Sequence, residues 1–503
     1  MIILVFMAIP LIGAILSLLT YFLNKKLPRY MAFLSIMTCL FFSIFFFYTN
    51  SHINNSSFSD NSLIFSFYKI WIPRYGISFY LGVDKLSLLM IFLTSLMGIC
   101  SISCEWDILN KNIGIFYFCV QLIILGIFGI FLSFDMLLFF FFWEIILIPM
   151  YFLIIFWNNS YENNCKSIYV ARKFFIYSQL SSFILLFSIL NLACIYHSYS
   201  GIWTFNYFIL KNIKMSLYME IFVMFSLLLS LVIKLPLFPF DDWLPDIQEI
   251  ISPSGSVDLV GILLKPAIYG LLRYHLVLFP RTSHMFSLIF ISLGLFTMLY
   301  GSIMAFSQTN IKRLLAYSSI SNMGIIFASL YSENIFSYQG VMIYFVSYVI
   351  STAALLIIIG KIFFHIKTQN ILYMGGLWSC MYFIPSFFLF FSFANLSIPL
   401  TGNFSGKFMM LWGIFSFYPV LGYLFAFCLF LSSIYSVILI QRVCYGSTNH
   451  VILQNELNIF HLIILIFFAC FLILIGLYPK LFLQFSYEIS DQLYRNYISF
   501  FNK

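Results

Sequence analysis

The sequence predicts an all-α polytopic membrane protein with about 14 transmembrane helices. Three observations predict it. Of 503 residues, 62% are apolar and only 8% are charged, where soluble domains carry roughly 25% charged residues. Mean hydropathy is +1.01. The apolar stretches run on for about 20 residues without the alternation that a membrane β-barrel needs. So few charges cannot cover a water-facing surface. A soluble enzyme, a nucleic-acid binder and a disordered chain are therefore excluded. The net charge of +8 comes from basic residues scattered over short loops, which is how a membrane protein sets its orientation.

The first span covers residues 2–24. It is too long for a cleavable signal, and Lys25, Lys26 and Arg29 follow it instead of preceding it. It reads as a membrane helix that starts outside. Further spans are expected near 31–48, 83–103, 113–131, 134–157, 170–195, 217–239, 254–279, 284–306, 313–331, 337–363, 376–400, 419–441 and 458–479. The inner loops and span ends then also carry Lys111, Lys166, Arg172, Lys173, Lys312, Arg313, Lys361, Lys367 and Arg442. The outer ones carry Lys69, Arg74, Lys85, Lys211, Lys214, Arg281 and Lys480, with Arg495 and Lys503 in the tail. The excess favours this orientation. Residues 49–82 are the longest polar stretch, and Ile70 to Tyr80 carry β-branched and aromatic residues around Pro73 and Gly76. They read as a short outer hairpin. The mixed polar and aromatic stretch 481–503 suits an interfacial segment.

Two spans are interrupted, at Lys234-Leu-Pro-Leu-Phe-Pro239 and at Pro399-Leu-Thr-Gly-Asn-Phe-Ser-Gly-Lys407. Paired helix breaks in the two halves of a chain point to an internally repeated transporter with its ion site at the breaks. Pro236 and Pro239 lack N–H groups, so the carbonyls of Val232 and Leu235 lose their helical donors. In hydrocarbon they need another donor, and a hydrated lysine fits. The bland alternative is a simple proline kink.

A charge at the bilayer centre costs about 2.5–3.5 kcal/mol on insertion scales. Glu144, Lys234 and Lys265 nonetheless lie well inside apolar spans. Lys407 sits at the second break and Asp135 at the start of the Glu144 span. As neighbours, a buried ammonium and a buried carboxylate hold each other charged; separated, each favours its neutral form. Each unit of such a shift is about 1.36 kcal/mol, so a small displacement switches protonation. These residues read as a proton pathway. The competing reading is a static interhelical pair or a snorkelling side chain, and it weighs more for Asp135, Asp258 and Arg273, nearer span ends. Lys265 shares a helical face with Asp258 and Gly261. The acidic residues just before it, Asp241, Asp242, Asp246 and Glu249, either funnel protons or form a solvated loop.

Other chemistry is poorly represented. Ten cysteines show no C-x-x-C and no Cys/His cluster, and Cys100 and Cys104 on one helix face read as packing residues. The seven histidines fall in loops or near span ends, His275 and His461 among them. Haem ligation is unsupported. No flavin, nicotinamide or iron–sulfur motif appears.

Several stretches together carry a family resemblance. They are Gly76-Ile77 through Asp84; Phe142-Trp143-Glu144 with Pro149-Met150; Lys234 through Phe240; Trp243-Leu244-Pro245-Asp246; Gly255-Ser256-Val257 through Lys265, with Tyr269-Gly270 and Arg273; Gln308 through Leu314, with Ala316-Tyr317-Ser318; and Thr401-Gly402-Asn403-Phe404. In these the chain resembles the antiporter-like membrane subunits of proton-pumping NADH:quinone oxidoreductase, respiratory complex I, and most nearly the subunit M (chain 4) type. The resemblance implies 14 helices with two inverted five-helix repeats and discontinuous helices. It divides the chain at about 1–110 (N-terminal helices and hairpin), 111–280 (first repeat), 281–442 (second repeat) and 443–503 (C-terminal helix and tail). It implies that Glu144 and Lys234 are the coupling pair, Lys265 the central relay and residue 407 the exit. Redox chemistry is expected elsewhere: no cofactor on this chain, with FMN, iron–sulfur clusters and quinone in partner subunits. The partners implied are sister antiporter-like subunits and the lipid bilayer.

The chain departs from the family where His is usual and it has Asp241, Gln248, Asn322 and Tyr348. It also has Lys407 where subunit M usually has Glu. Neither Asn322 nor Tyr348 titrates near neutral pH. The Ile/Phe/Asn/Tyr-rich composition suits a bacterial inner membrane, with a mitochondrial inner membrane as the alternative. The competing functions are a subunit of a multi-component cation/proton antiporter, a non-pumping scaffold subunit, and an independent solute transporter. The last lacks a convergent polar cluster beyond the ion residues.

Overall fold

The computed structural model describes residues 2–53, 63–106, 112–157, 164–213, 215–251, 264–446 and 457–501. Lys111, Lys214, Gly255-Ser256-Val257, Asp258, Gly261 and Lys503 lie outside the described residues. Among the described residues, the regular structure is helical apart from one antiparallel hairpin. Among the described residues, 11 helices are long and apolar enough to cross a membrane.

Those 11 coincide with 11 of the expected spans. The other three take different forms. The span expected at 313–331 is a helix, Ile311–Leu330. It is buried and serine-rich, which lowers its hydropathy. The span expected at 376–400 contains a short turn, Leu377–Cys380, and then a 13-residue helix, Ile384–Leu396. Pro385 sits in that helix's first turn, where its missing N–H does no harm. The span expected at 254–279 is described from Leu264 onward, and it passes into a π-helical turn at Leu271–His275. His275 lies in that turn and is fully buried, although its sequence position suggested a span end. A further helix, Gly402–Phe417, occupies residues left without a span.

The chain forms two compact units, Met1–Lys234 with Ile262–Thr282, and Leu235–Gly261 with Ser283–Lys503. In the first unit, Ile113–Leu132 is the central helix, packed against Ile2–Leu23, Lys85–Cys104 and Met136–Ile145. The hairpin pairs strand β1 (Phe65–Ile72) with β2 (Ile77–Val83), placing Tyr68 opposite Tyr80 and Lys69 opposite Phe79. Gly76 turns it at φ +64°, and a Cβ there would fall 1.8 Å from the Trp203 carbonyl oxygen. Only glycine fits.

In the second unit, the central helix is Ile335–Ile366. It packs against Ile311–Leu330, Ile384–Leu396, Gly402–Phe417, Ile459–Leu477 and Pro479–Phe501. The C-terminal stretch is thus a continuous helix against the body of its unit. The acidic stretch after the first break forms the helix Trp243–Ile250. Asp246 and Glu249 pair with Arg313 at 3.5 and 3.4 Å, and Lys312 donates to the Ile251 carbonyl at 2.7 Å. Asp241 is buried. Asp246 and Glu249 are therefore tied to the Ile311–Leu330 helix, whereas Asp242 is exposed.

Candidate functional site

In the first unit, Asp135, Glu144, Lys234 and Lys265 lie on helices that pack in sequence on one another. Met136–Ile145 packs on Asn164–Ser200, which packs on Leu217–Lys234, which in turn meets Leu264–Gly270. The last of these contacts is close because Gly270 faces Leu231; a Cβ there would stand 2.7 Å from a Leu231 methyl.

Glu144 stands one residue before a helix break. Met136–Ile145 ends, Ile146 intervenes, and Leu147–Phe156 begins. Pro149 explains this. It has no N–H for the carbonyl four residues back, that of Ile145. The sequence carried the signal, yet only the breaks at 234–239 and 399–407 were expected. Oε1 of Glu144 is buried and accepts no hydrogen bond from the described residues.

Lys234 is the last residue of its helix and is 4% exposed. A cation there complements the helix dipole. Its Nζ donates to Ser178 Oγ at 3.4 Å and lies 5.3 Å from the Trp143 ring centroid and 5.8 Å from that of Phe174. The Glu144 carboxylate is within electrostatic range of this ammonium. The two form no ion pair within 4.0 Å. Trp143 and Ser178 instead hold the ammonium by a ring face and one hydroxyl. Lys265 is fully buried in the described helix Leu264–Gly270.

Asp135 has a different setting. It caps Met136–Ile145, accepting from Leu137 N at 3.0 Å and Leu138 N at 3.4 Å. Its other oxygen accepts from Ser78 N at 3.0 Å and Ser78 Oγ at 2.9 Å. The two helix donors cap its start, and the two Ser78 donors tie that start to β2. Close by in sequence, Asp84 pairs with Arg273, whose guanidinium stacks 4.3 Å over Phe134 and 5.5 Å from Tyr207. Tyr269 and Tyr274 donate to the carbonyls of Phe131 and Ser133. The π-helical turn is thereby fastened to the end of Ile113–Leu132. Glu220, which the sequence did not single out, is buried and accepts from Thr282 Oγ1 at 3.1 Å.

In the second unit, Lys407 was expected at the break but lies within the helix Gly402–Phe417, 3% exposed. The break itself is residues 397–401, with Ser397 and Leu400 at positive φ. Pro399 has no N–H for the Asn395 carbonyl, and Lys407 Nζ supplies the missing donor at 3.2 Å. Asn403 Nδ2 adds a second donor, at 2.8 Å, to the Ala394 carbonyl, which already accepts from Ser397 N at 2.9 Å. Ser351 Oγ donates to Asn395 Oδ1 at 2.7 Å. A lysine beside freed carbonyls, reasoned for the first break, is thus seen at the second. Gly406 lets the lysine helix approach Ile335–Ile366 closely, since a Cβ there would stand 2.7 Å from the Tyr344 backbone nitrogen. Lys407 Nζ then lies 5.4 Å from the Tyr344 ring centroid.

Tyr344 and Tyr348 stack one turn apart, with centroids separated by 5.6 Å. Asn322 and Ser319 face the Tyr348 hydroxyl. Neither that hydroxyl nor Asn322 Oδ1 closes a well-formed hydrogen bond with a described protein group. Among the described residues, no group of three or more His, Cys, Asp or Glu is arranged to hold a metal ion.

Comparisons with known proteins agree with one another. Residues 133–434 match the family described as NADH:quinone oxidoreductase/Mrp antiporter, TM. The chain is 42% identical over 488 residues to the NADH-quinone oxidoreductase subunit M of Buchnera aphidicola subsp. Schizaphis graminum, covering 97% of each chain. It is 39% identical over 483 residues to the subunit M of Escherichia coli K12, covering 95% of each. Among solved structures, its fold is similar to a chain of respiratory complex I from Thermus thermophilus with bound NADH. The TM-score is 0.84 at 20% identity, covering 99% of this chain and 100% of that one. It is similar also to a chain of the Mrp complex from Dietzia, with TM-score 0.83 at 18% identity, covering 98% and 99%.

Proposed function

This chain belongs to the NADH:quinone oxidoreductase/Mrp antiporter transmembrane family, and we propose that it is a proton-translocating membrane subunit of an NADH:quinone oxidoreductase. The name its relatives carry, at 39–42% identity over nearly their full lengths, supports that assignment over a cation/proton antiporter subunit. The observation that carries the pumping reading is a buried lysine near each of the two breaks expected from the sequence: Lys234 at the end of its helix before Pro236, and Lys407 in the helix that follows residues 397–401.

Glu144 and Lys234 are close enough to interact and too far apart to lock. A carboxylate carried on the short helix before Pro149 can approach or retreat without breaking a hydrogen-bonded ion pair. Approach holds the proton on Lys234; retreat releases it toward Lys265. In the second unit, the proton passes the polar group of Asn322, Ser319 and Tyr348 and reaches Lys407, which discharges outward. Asp135 holds the Glu144 helix in position. Flavin, iron–sulfur and quinone chemistry belongs to other partner subunits. Sister antiporter-like chains are partners too, and the complex lies in a bacterial inner membrane. This chain contributes charge movement alone.

The test is NADH-driven acidification of inverted membrane vesicles, with Lys234→Met and Lys407→Met compared with wild type at matched flavin content. Pumping should fall at least several-fold in both. Unchanged pumping in both variants makes the chain a scaffold. Transport that follows sodium and persists without NADH would instead favour the antiporter reading.

A further inference from the structure

Within the second unit, a crevice opens where the helix Pro419–Cys444 ends beside the end of Ser287–Ser307 and the start of Ile311–Leu330. Phe306, Gln308, Leu314, Ile438, Leu439 and Arg442 line it. Five features bear on what fits there. Arg442 is exposed, in the last turn of its helix. No described carboxylate pairs with it; Asp246 and Glu249 of the same unit are taken by Arg313. Gln308 uses its amide nitrogen on Met304 O and Ser307 Oγ, so its carbonyl oxygen remains available as an acceptor. Tyr435, itself buried, also lines it; the other lining side chains, Ile371 among them, are apolar, and the apolar surface continues onto outward-facing Ile303, Phe306 and Val437, each at least half exposed. Finally, Tyr445 and Trp378 stack nearby with centroids 6.4 Å apart, both exposed. Such aromatic pairs mark the level of the membrane–water boundary.

The arrangement therefore sets one cation at headgroup depth, above a greasy groove. Basic pockets between membrane helices are suited to anionic headgroups. A guanidinium offers a fork of donors that matches phosphate oxygens. A soluble anion would use the charge but leave the groove uncovered. A neutral acyl chain would use the groove but leave the charge unmet. We propose that this crevice binds one anionic phospholipid, its phosphate on Arg442, a headgroup hydroxyl on the Gln308 carbonyl, and an acyl chain along Phe306 and Ile438. The site is independent of the pumping reading and stands or falls without it.

The experiment uses the full chain, purified with the complex in which it assembles. It is exposed to phosphatidylglycerol bearing a photoactivatable acyl chain, or to phosphatidylcholine with the same chain. Labelled peptides are mapped. The expected result is labelling of 303–314 and 435–442 that is at least five-fold stronger with phosphatidylglycerol. That preference should vanish in Arg442→Ala and Arg442→Glu and partly persist in Arg442→Lys. Equal labelling by the two lipids, or unchanged labelling in Arg442→Glu, means ordinary boundary lipid and overturns the site. Displacement of the label by excess inorganic phosphate points to a soluble anion and overturns the lipid. A photo-crosslinker at position 442 that captures another subunit in place of lipid also overturns it. The comparison of two lipids on the wild type holds even where a variant assembles poorly.

Discussion

Lys407 and Lys234 meet their surroundings in different ways, and the difference predicts separable behaviour. Lys407 donates to a carbonyl that Pro399 has freed, so it has a structural duty in addition to any proton. Lys407→Met removes the donor and should destabilise the protein by about 1–3 kcal/mol, the cost of an unsatisfied buried acceptor. Lys407→Gln keeps a donor but cannot carry a proton. Thermal unfolding of the solubilised protein should then be near normal, while acidification remains low. A parallel loss in both assays would reduce Lys407 to a structural group. Asp135 predicts the opposite split. Asp135→Ala strips the helix cap and leaves Ser78 and two backbone N–H groups without their acceptor. A cap is worth about 0.5–2 kcal/mol, and these donors are buried, so the yield of assembled protein should fall. Pumping per assembled complex should hold. Normal yield with abolished pumping would place Asp135 in the proton path.

Two helices in this chain break where proline withholds a hydrogen bond, and side chains that matter sit beside the freed carbonyls; Pro10, by contrast, sits inside the unbroken helix Ile2–Leu23. Pro149 frees Ile145 next to Glu144, and Pro399 frees Asn395 next to Lys407. Pro149→Ala should restore a continuous helix from Met136 to Phe156. Local helix stability should rise, and pumping should become less tightly coupled to NADH oxidation as Glu144 loses its freedom to shift. The ratio of acidification to oxidation reads this directly, and an unaltered ratio would remove the hinge from the mechanism. Close helix approach is the second device at this scale. At Gly406 any side chain meets the Tyr344 Cβ at 2.6 Å and its backbone at 2.7 Å. Gly406→Leu should cost about 1–3 kcal/mol through overpacking and displace Lys407 from Tyr344.

Across the whole molecule, burial is uneven in a way that predicts dynamics. The apolar window of Ile335–Ile366 is 100% buried within the protein, whereas those of Ile2–Leu23 and Leu27–Thr49 are 39% and 28% buried. Lipid or partner subunits must cover the latter. Amide exchange follows local packing, so in detergent Ile335–Ile366 should exchange last and the two N-terminal helices among the first. A uniform rate across the helices would contradict this distribution of packing.

Much of this was legible in the chain itself. Composition alone determined the membrane class, because too few charges exist to face water. Hydropathy located 11 spans, since an apolar run of about 20 residues has one physical use. Buried charges announced themselves as Glu144, Lys234, Lys265 and Lys407, because charge inside an apolar run is costly wherever the run folds. Proline positions marked the breaks, since a missing N–H is a covalent fact. What the sequence could not decide was which group answers each unmet one. Lys407 reaching Asn395 across the break, Ser78 completing the cap at Asp135, Arg313 tying down Asp246 and Glu249, and Arg273 stacking on Phe134 join residues from 12 to 139 positions apart. Polar partnership in a low-dielectric interior depends on distances of about 3 Å, and only the packing of helices on one another sets distances so short between residues so far apart in sequence.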